Sequence, residues 1–241
     1  MSEHSFSPAW RAQPLGRRGF LRVSAASAAT VALVAATGCS TNTPAPVVAN
    51  PYSLVLPAGD TGLFYYAYFL ALGLATVYQQ VLENPPAGFT AAERAIFSDM
   101  YDHEVVYREL LRYYLDPTGK NVLFPTDFVF NTKSFTLTTR AGALAAAQQL
   151  EDLATAAYPT LLPLFTNTSS AQRALLLKTV SVQGRHAATV RDLLTPGSFA
   201  DTAVVDATGQ IRAKTPTEVT AALAPYFAPY VISVANLAVP V

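Results

Sequence analysis

The sequence predicts an all-α fold, a four-helix bundle with one long crossover and a mostly irregular C-terminal extension. Three observations carry this. Four stretches, each long enough for roughly six helical turns, space their apolar side chains at helical intervals and close on proline signals. The segment between the second and third, about 116 to 137, is too long for a tight turn and reads as a crossover. The 241 residues are 51% hydrophobic and 13% charged, with 13 Phe and 12 Tyr, which suits a closed apolar core and excludes a disordered chain.

The first helix is expected over about Thr61–Glu83, ending at Pro85-Pro86 because proline cannot continue a helix. It carries no charge from Thr61 to Leu82 and is nearly long enough to cross a membrane. Its Tyr65, Tyr66, Tyr68, Tyr78, Gln79 and Gln80 are spread along it rather than gathered at two interfaces, and no basic flank follows. A buried bundle helix is therefore the better reading. The second opens on Thr90-Ala91-Ala92-Glu93, a capping box, and runs to Leu115 before Asp116-Pro117. In the crossover that follows, short segments (FVF, FTL) alternate. The third, Ala-rich, covers roughly Thr139–Leu162, with Pro159 bending its end. The fourth covers Ser169–Leu194 and stops at Pro196-Gly197. Beyond it a short helix starts after Pro216, with Pro225 expected to end it.

The N-terminus reads as an address. Arg11, Arg17, Arg18 and Arg22 stand against one acid, Glu3, and an uncharged, apolar run from Val23 to Ala36 follows. That run is too short for a membrane span and matches a signal-peptide core. Gly16-Arg17-Arg18-Gly19-Phe20-Leu21-Arg22 resembles a twin-arginine export signal. Ala36-Thr37-Gly38-Cys39-Ser40 looks like a bacterial lipobox with Cys39, the only cysteine, as the lipidated residue, although Ala36 stands where such boxes most often carry Leu. The expected organisation is an export signal over 1–38, a lipidated tether over 39–58, the bundle over 59–195 and a C-terminal extension over 196–241. A lone cysteine excludes an intramolecular disulfide framework. A net charge of zero, with no basic cluster after residue 22, gives no footprint for nucleic acid.

Helical spacing also selects the inward faces. On the second helix Phe97, Tyr101, Glu104, Tyr107 and Leu111 share a stripe; on the third, Leu144, Ala147, Glu151, Ala154 and Tyr158; on the fourth, Thr179, Val182, Gln183, His186, Val190 and Leu193. A carboxylate on an inward stripe costs several kcal/mol unless something compensates it. Lone Glu residues and polar pairs three apart are the layout of carboxylate-bridged two-metal bundles, where i, i+3 spacing puts two ligating groups on one face.

These residues resemble the exported ferritin-like domain proteins of bacteria, distant relatives of ferritin and rubrerythrin. The likeness runs from Gly59-Asp60-Thr61-Gly62 almost to the C-terminus, through Asp102-His103-Glu104-Val105, Leu150-Glu151-Asp152-Leu153 with Ala157-Tyr158, and Arg185-His186-Ala187-Ala188 with Arg191-Asp192-Leu193. The resemblance implies a two-metal site, and this chain departs from it. Ala71 and Leu74 stand where the family's first helix supplies a Glu, Tyr107 stands for a His, and Gln183 for a Glu. Glu104, Glu151 and His186 are retained, enough for at most one divalent ion, with iron, manganese or zinc as candidates. Paired-metal redox chemistry is not expected.

Two readings of the retained residues stay open. Glu104 can instead pair with Arg108 or Arg185, Tyr107 can fill the old His position or ligate iron, and His186 can be a satisfied core histidine. His103 lies off the stripe and is assigned to the outside. The expectation is an envelope-anchored ferritin-like lipoprotein, held to the membrane through Cys39 and facing the periplasm from the outer membrane, with a structural or binding role and no catalytic residue. The alternative is a metal-binding protein or oxidoreductase working from a residual one-metal site. The partners expected are a second copy or a related ferritin-like protein; a pure interaction module using residues 116–137 or 198–241 is the third possibility. A cage for iron storage is not expected, because the oxidation site is incomplete.

Overall fold

The computed structural model describes residues 50–166 and 171–237. Arg17, Arg18, Cys39 and the rest of the expected signal and lipobox lie outside the described residues. The main body comprises residues 50–119 and 129–237; the segment 120–128 forms a separate unit, a run of turns in which Phe124 stacks on Phe128 with ring centroids 5.1 Å apart.

The main body is helical. Helix α1 spans Gly59–Glu83, α2 Ala91–Leu115, α3 Arg140–Leu161, α4 Ala171–Leu194 and α5 Pro216–Phe227. A 3-10 turn, Leu162–Leu164, extends α3. Helix α1 packs against α2 and α3, and α3 against α4. Helix α1 has the length and hydropathy of a membrane span, but 72% of its most apolar window is buried inside the protein. Phe69, Tyr66, Ala67, Ala75, Val77 and Tyr78 on α1 are all fully covered, which identifies it as the central helix of the core.

The caps explain where the helices begin. Thr90 accepts from the Glu93 amide at 3.1 Å while Glu93 accepts from the Thr90 amide at 2.8 Å, the reciprocal box expected at the start of α2. Thr215 and Glu218 form a second such box on α5. Thr139 caps α3 by accepting from the Gly142 amide. Arg140, one residue on, donates to Glu93 at 2.7 Å and to the Leu193 carbonyl at 3.0 Å, so one guanidinium joins the start of α2 to the end of α4.

Two local expectations are corrected. Pro225 does not end the last helix: it sits inside α5, which continues to Phe227. A proline in the final turn leaves only a carbonyl one turn back without its amide, and α5 is buried along Val219, Leu223 and Phe227. The region outside the helices also contains a strand pair absent from the sequence reading. Strand β1, Ser53–Val55, pairs in parallel with β2, Val231–Ser233, with Leu54 opposite Ile232. Three-residue strands separated by most of the chain leave no readable periodicity.

The C-terminal elements close over the first helix. Phe227 of α5 packs on Phe69 of α1 at 5.4 Å and on Phe130 of the crossover at 5.3 Å. Tyr226 stacks on Phe130 and Phe135 and accepts a hydrogen bond from Gln149 on α3. Thr132 in the crossover donates to Gln80 on α1 at 2.6 Å.

Candidate metal centre

Glu104, Glu151 and His186 come from α2, α3 and α4 and meet inside the bundle. The two carboxylates have no solvent exposure and His186 has 5%. One ligand atom from each lies within 4.8 Å of the other two. Nδ1 of His186 sits 3.5 Å from Oε1 of Glu104 and 3.4 Å from Oε1 of Glu151. These separations exceed an ordinary N–H···O hydrogen bond. They do match the edge of a tetrahedron of ligands at about 2.1 Å from one ion, about 3.4 Å.

The polar atoms that remain fit a cation. Oε2 of Glu104, Oε2 of Glu151 and Nδ1 of His186 are buried and make no hydrogen bond. Glu104 accepts one bond, from the Gln183 amide at 2.6 Å, and Glu151 accepts one from the Tyr78 hydroxyl at 2.5 Å. Each carboxylate is thus held by one neutral donor and left with an unfilled oxygen. Buried polar atoms are rarely left so, and two carboxylates and an imidazole brought this close together are a donor set that suits a divalent ion.

The three groups shift one another's protonation. Burial pushes the Glu104 carboxyl up to about 7, against the lowering effect of His186, and the like charge of Glu151 pushes the same way as burial. Burial raises Glu151 as well. For His186 burial works downward, but the nearby carboxylates of Glu104 and Glu151 outweigh it and hold the imidazole up at about 9. Without a cation the site therefore retains protons that a cation would displace. Tyr78 is pushed well above the ordinary phenol value by burial and by Glu151, and so remains a donor.

The positions that depart from the two-metal pattern bear on the other half of the site. Ala71 and Leu74 share the face of α1 that carries Tyr78; both are buried and neither has a ligating atom. Tyr107 is half-buried, raised to about 12 by burial and then by Glu104, and makes no hydrogen bond to Glu104. Gln183 is buried and serves Glu104 as a neutral donor, its own Oε1 unpaired. Among the described residues, Glu104, Glu151 and His186 form one such ligand group.

Other pairings differ from the sequence reading. Neither Arg108 nor Arg185 reaches Glu104: Arg108 pairs with Glu109 at 2.9 Å and Arg185 donates to Ser181 at 2.9 Å. Arg185 is exposed and Arg108 partly so. Arg191 is the buried guanidinium instead, binding Asp152 through two nitrogens at 2.8 and 2.7 Å and Asp201 at 2.9 Å, which ties α3, α4 and the extension together. His103 is exposed, yet its Nδ1 lies 3.0 Å from Nε2 of His186. The signal for it was available: His103 precedes Glu104 and so borders the inward face by one step of about 100°.

A family model described as a ferritin-like domain matches residues 59–196. No curated protein and no solved structure matches the chain.

Proposed function

The chain belongs to the ferritin-like domain family, and from that premise we propose that it is an envelope-anchored, non-catalytic ferritin-like protein that holds a single divalent cation between Glu104, Glu151 and His186. The observation that carries this reading is a buried ligand group from three different helices: one ligand atom each from Glu104, Glu151 and His186 lies within 4.8 Å of the other two, and each residue keeps a buried polar atom without a hydrogen bond. A bound ion would neutralise two buried carboxylates and brace α2, α3 and α4 against one another. Iron, manganese and zinc all accept a mixed oxygen and nitrogen set of this kind.

Paired-metal redox chemistry does not follow from this set. It needs two ions about 3.5–4 Å apart sharing carboxylates. Ala71 and Leu74 offer no donor, and Gln183 offers an amide where a bridging or terminal carboxylate is wanted. The role proposed is therefore structural or binding, with a second copy or a related ferritin-like protein as partner, and no nucleic acid. Arg17, Arg18 and Cys39 support export and a lipid anchor, with Ser40 after the cysteine favouring the outer membrane and a periplasmic orientation.

A second reading is favoured by the raised Glu104 and His186: a cluster closed by shared protons, with no ion. Ion counting on the full chain, purified from membranes after growth in metal-replete medium, decides between them. About one ion per chain, lost in His186→Ala, is the expected result; a count near zero favours the proton-sharing cluster. Retention of the Cys39→Ala chain in the membrane fraction would remove the lipid anchor from the proposal.

A further inference from the structure

We propose that His103 is a positioning residue for the ion site, holding His186 with Nε2 outward and hydrogen-bonded so that Nδ1 faces Glu104 and Glu151. This rests on the reading of those three residues as a cation site.

The geometry is that of a formed bond between the two rings. Nδ1 of His103 and Nε2 of His186 are 3.0 Å apart, the ring planes differ by 14°, and the centroids are 5.2 Å apart. Two imidazoles joined head-on by an N–H···N bond lying in both planes have centroids about 5.3 Å apart, so the rings meet edge to edge rather than face to face. An edge-on bond fixes both the tilt of the His186 ring and which nitrogen points inward.

The chemistry requires such a partner. With a cation on Nδ1, the proton of the neutral His186 ring sits on Nε2 and needs an acceptor. His103 Nδ1 is that acceptor, because His103 is exposed and can keep its own proton on Nε2, toward water. The two residues stand on different helices, α2 and α4, so the bond also sets the ring against the helix that carries Glu104. Tyr78 and Gln183 orient the two carboxylates in the same manner, each through one hydrogen bond. His103 completes that set: every ligand is held by one outer donor or acceptor.

The test uses zinc and the full chain in His103→Phe and His103→Asn forms. Asparagine keeps an acceptor oxygen near the position of Nδ1; phenylalanine keeps the ring and loses the acceptor. Zinc affinity is expected to fall about 10- to 100-fold in His103→Phe, the usual effect of losing an outer partner of a ligating histidine, and to be largely kept in His103→Asn. The metal-free melting temperature should stay near the parent value in both, since His103 is exposed. Unchanged zinc affinity in His103→Phe, with the parent chain binding zinc, overturns the inference and leaves the ion site standing. Should the parent chain bind no zinc, the ion reading fails, and scalar coupling between the two ring nitrogens in 15N-histidine-labelled, metal-free protein decides the rest: coupling upholds the positioning of His186, and its absence overturns it.

Discussion

The hydroxyl of Tyr78 on α1 donates to Oε1 of Glu151 on α3 at 2.5 Å, and neither residue has any solvent exposure. This bond crosses the bundle and supplies the single donor that Glu151 receives from a neighbouring helix. It also accounts for a tyrosine at a fully buried position of α1, since a phenol provides a ring for the core and a donor at its tip. The ring packs edge-on against Phe97 of α2 at 5.0 Å.

Replacing that donor tests its worth. Tyr78→Phe keeps the packing and leaves a buried carboxylate with less support. The expected loss is about 1.5–3 kcal/mol, the range for hydrogen bonds to charged groups, measured by urea unfolding of the metal-free chain. A change below about 0.5 kcal/mol would mean that Glu151 is protonated and finds another partner.

Gln183→Glu reintroduces a carboxylate beside Glu104. Without metal the variant should lose about 1–3 kcal/mol, because a further acid is forced into a buried acidic cluster and the Gln183–Glu104 bond at 2.6 Å is lost. With zinc or manganese present it should bind at least about tenfold more tightly and recover the lost stability. Thermal unfolding with and without metal separates the two effects. Destabilisation of equal size in both conditions would show that residue 183 does not face the ion.

Glu93 sets a pH dependence at the edge of the bundle. The hydrogen bond from Arg140 holds its carboxyl below the usual value, outweighing burial, with further help from Thr90. A carboxyl whose folded pKa is depressed adds stability at pH values above its unfolded value, about 4.3, and that stability is lost as pH falls through the folded value. Arg140→Ala should therefore destabilise the chain by about 0.5–1.5 kcal/mol at neutral pH and by less in acid, where Glu93 is protonated in either form. Urea unfolding at a series of pH values reads the convergence; a penalty independent of pH would place the whole effect on the bond to the Leu193 carbonyl.

Gly73 marks a close approach between α1 and the crossover. A Cβ at this position would lie 2.8 Å from the Phe130 ring, which is itself packed against Phe227 and Tyr226. Alanine usually improves a helix interior by up to about 1 kcal/mol, but here overpacking should reverse the sign and cost about 1–3 kcal/mol. In a Phe130→Leu background the penalty should shrink, giving a measurable coupling in a double-mutant cycle. Additive effects would show that the ring moves freely and the contact is soft.

Much of this protein was legible from local patterns. The four long helices, the Thr90–Glu93 box and the long crossover follow from periodicity, capping chemistry and proline placement, each acting within a few residues of chain. The same periodicity puts Glu104, Glu151, Gln183 and His186 on inward stripes, because 3.6 residues per turn makes burial of one face a property of spacing. What stayed out of reach were the partners. Glu104 meets Gln183 rather than Arg108 or Arg185, His103 is outward as expected but also meets His186, and Arg191 rather than either of those arginines binds Asp152 and Asp201.

The division has a physical cause. The sequence by itself determined which residues each helix buries, since that depends on angles within one helix. Only the tertiary structure decided which buried groups face each other, because that depends on how far the helices rotate and slide as their side chains interlock. A shift of one residue turns a helix by about 100° and moves a ligand about 1.5 Å along its axis. Placing two carboxylate oxygens 3.4 and 3.5 Å from one imidazole nitrogen is therefore a property of the packed bundle and not of any one of its helices.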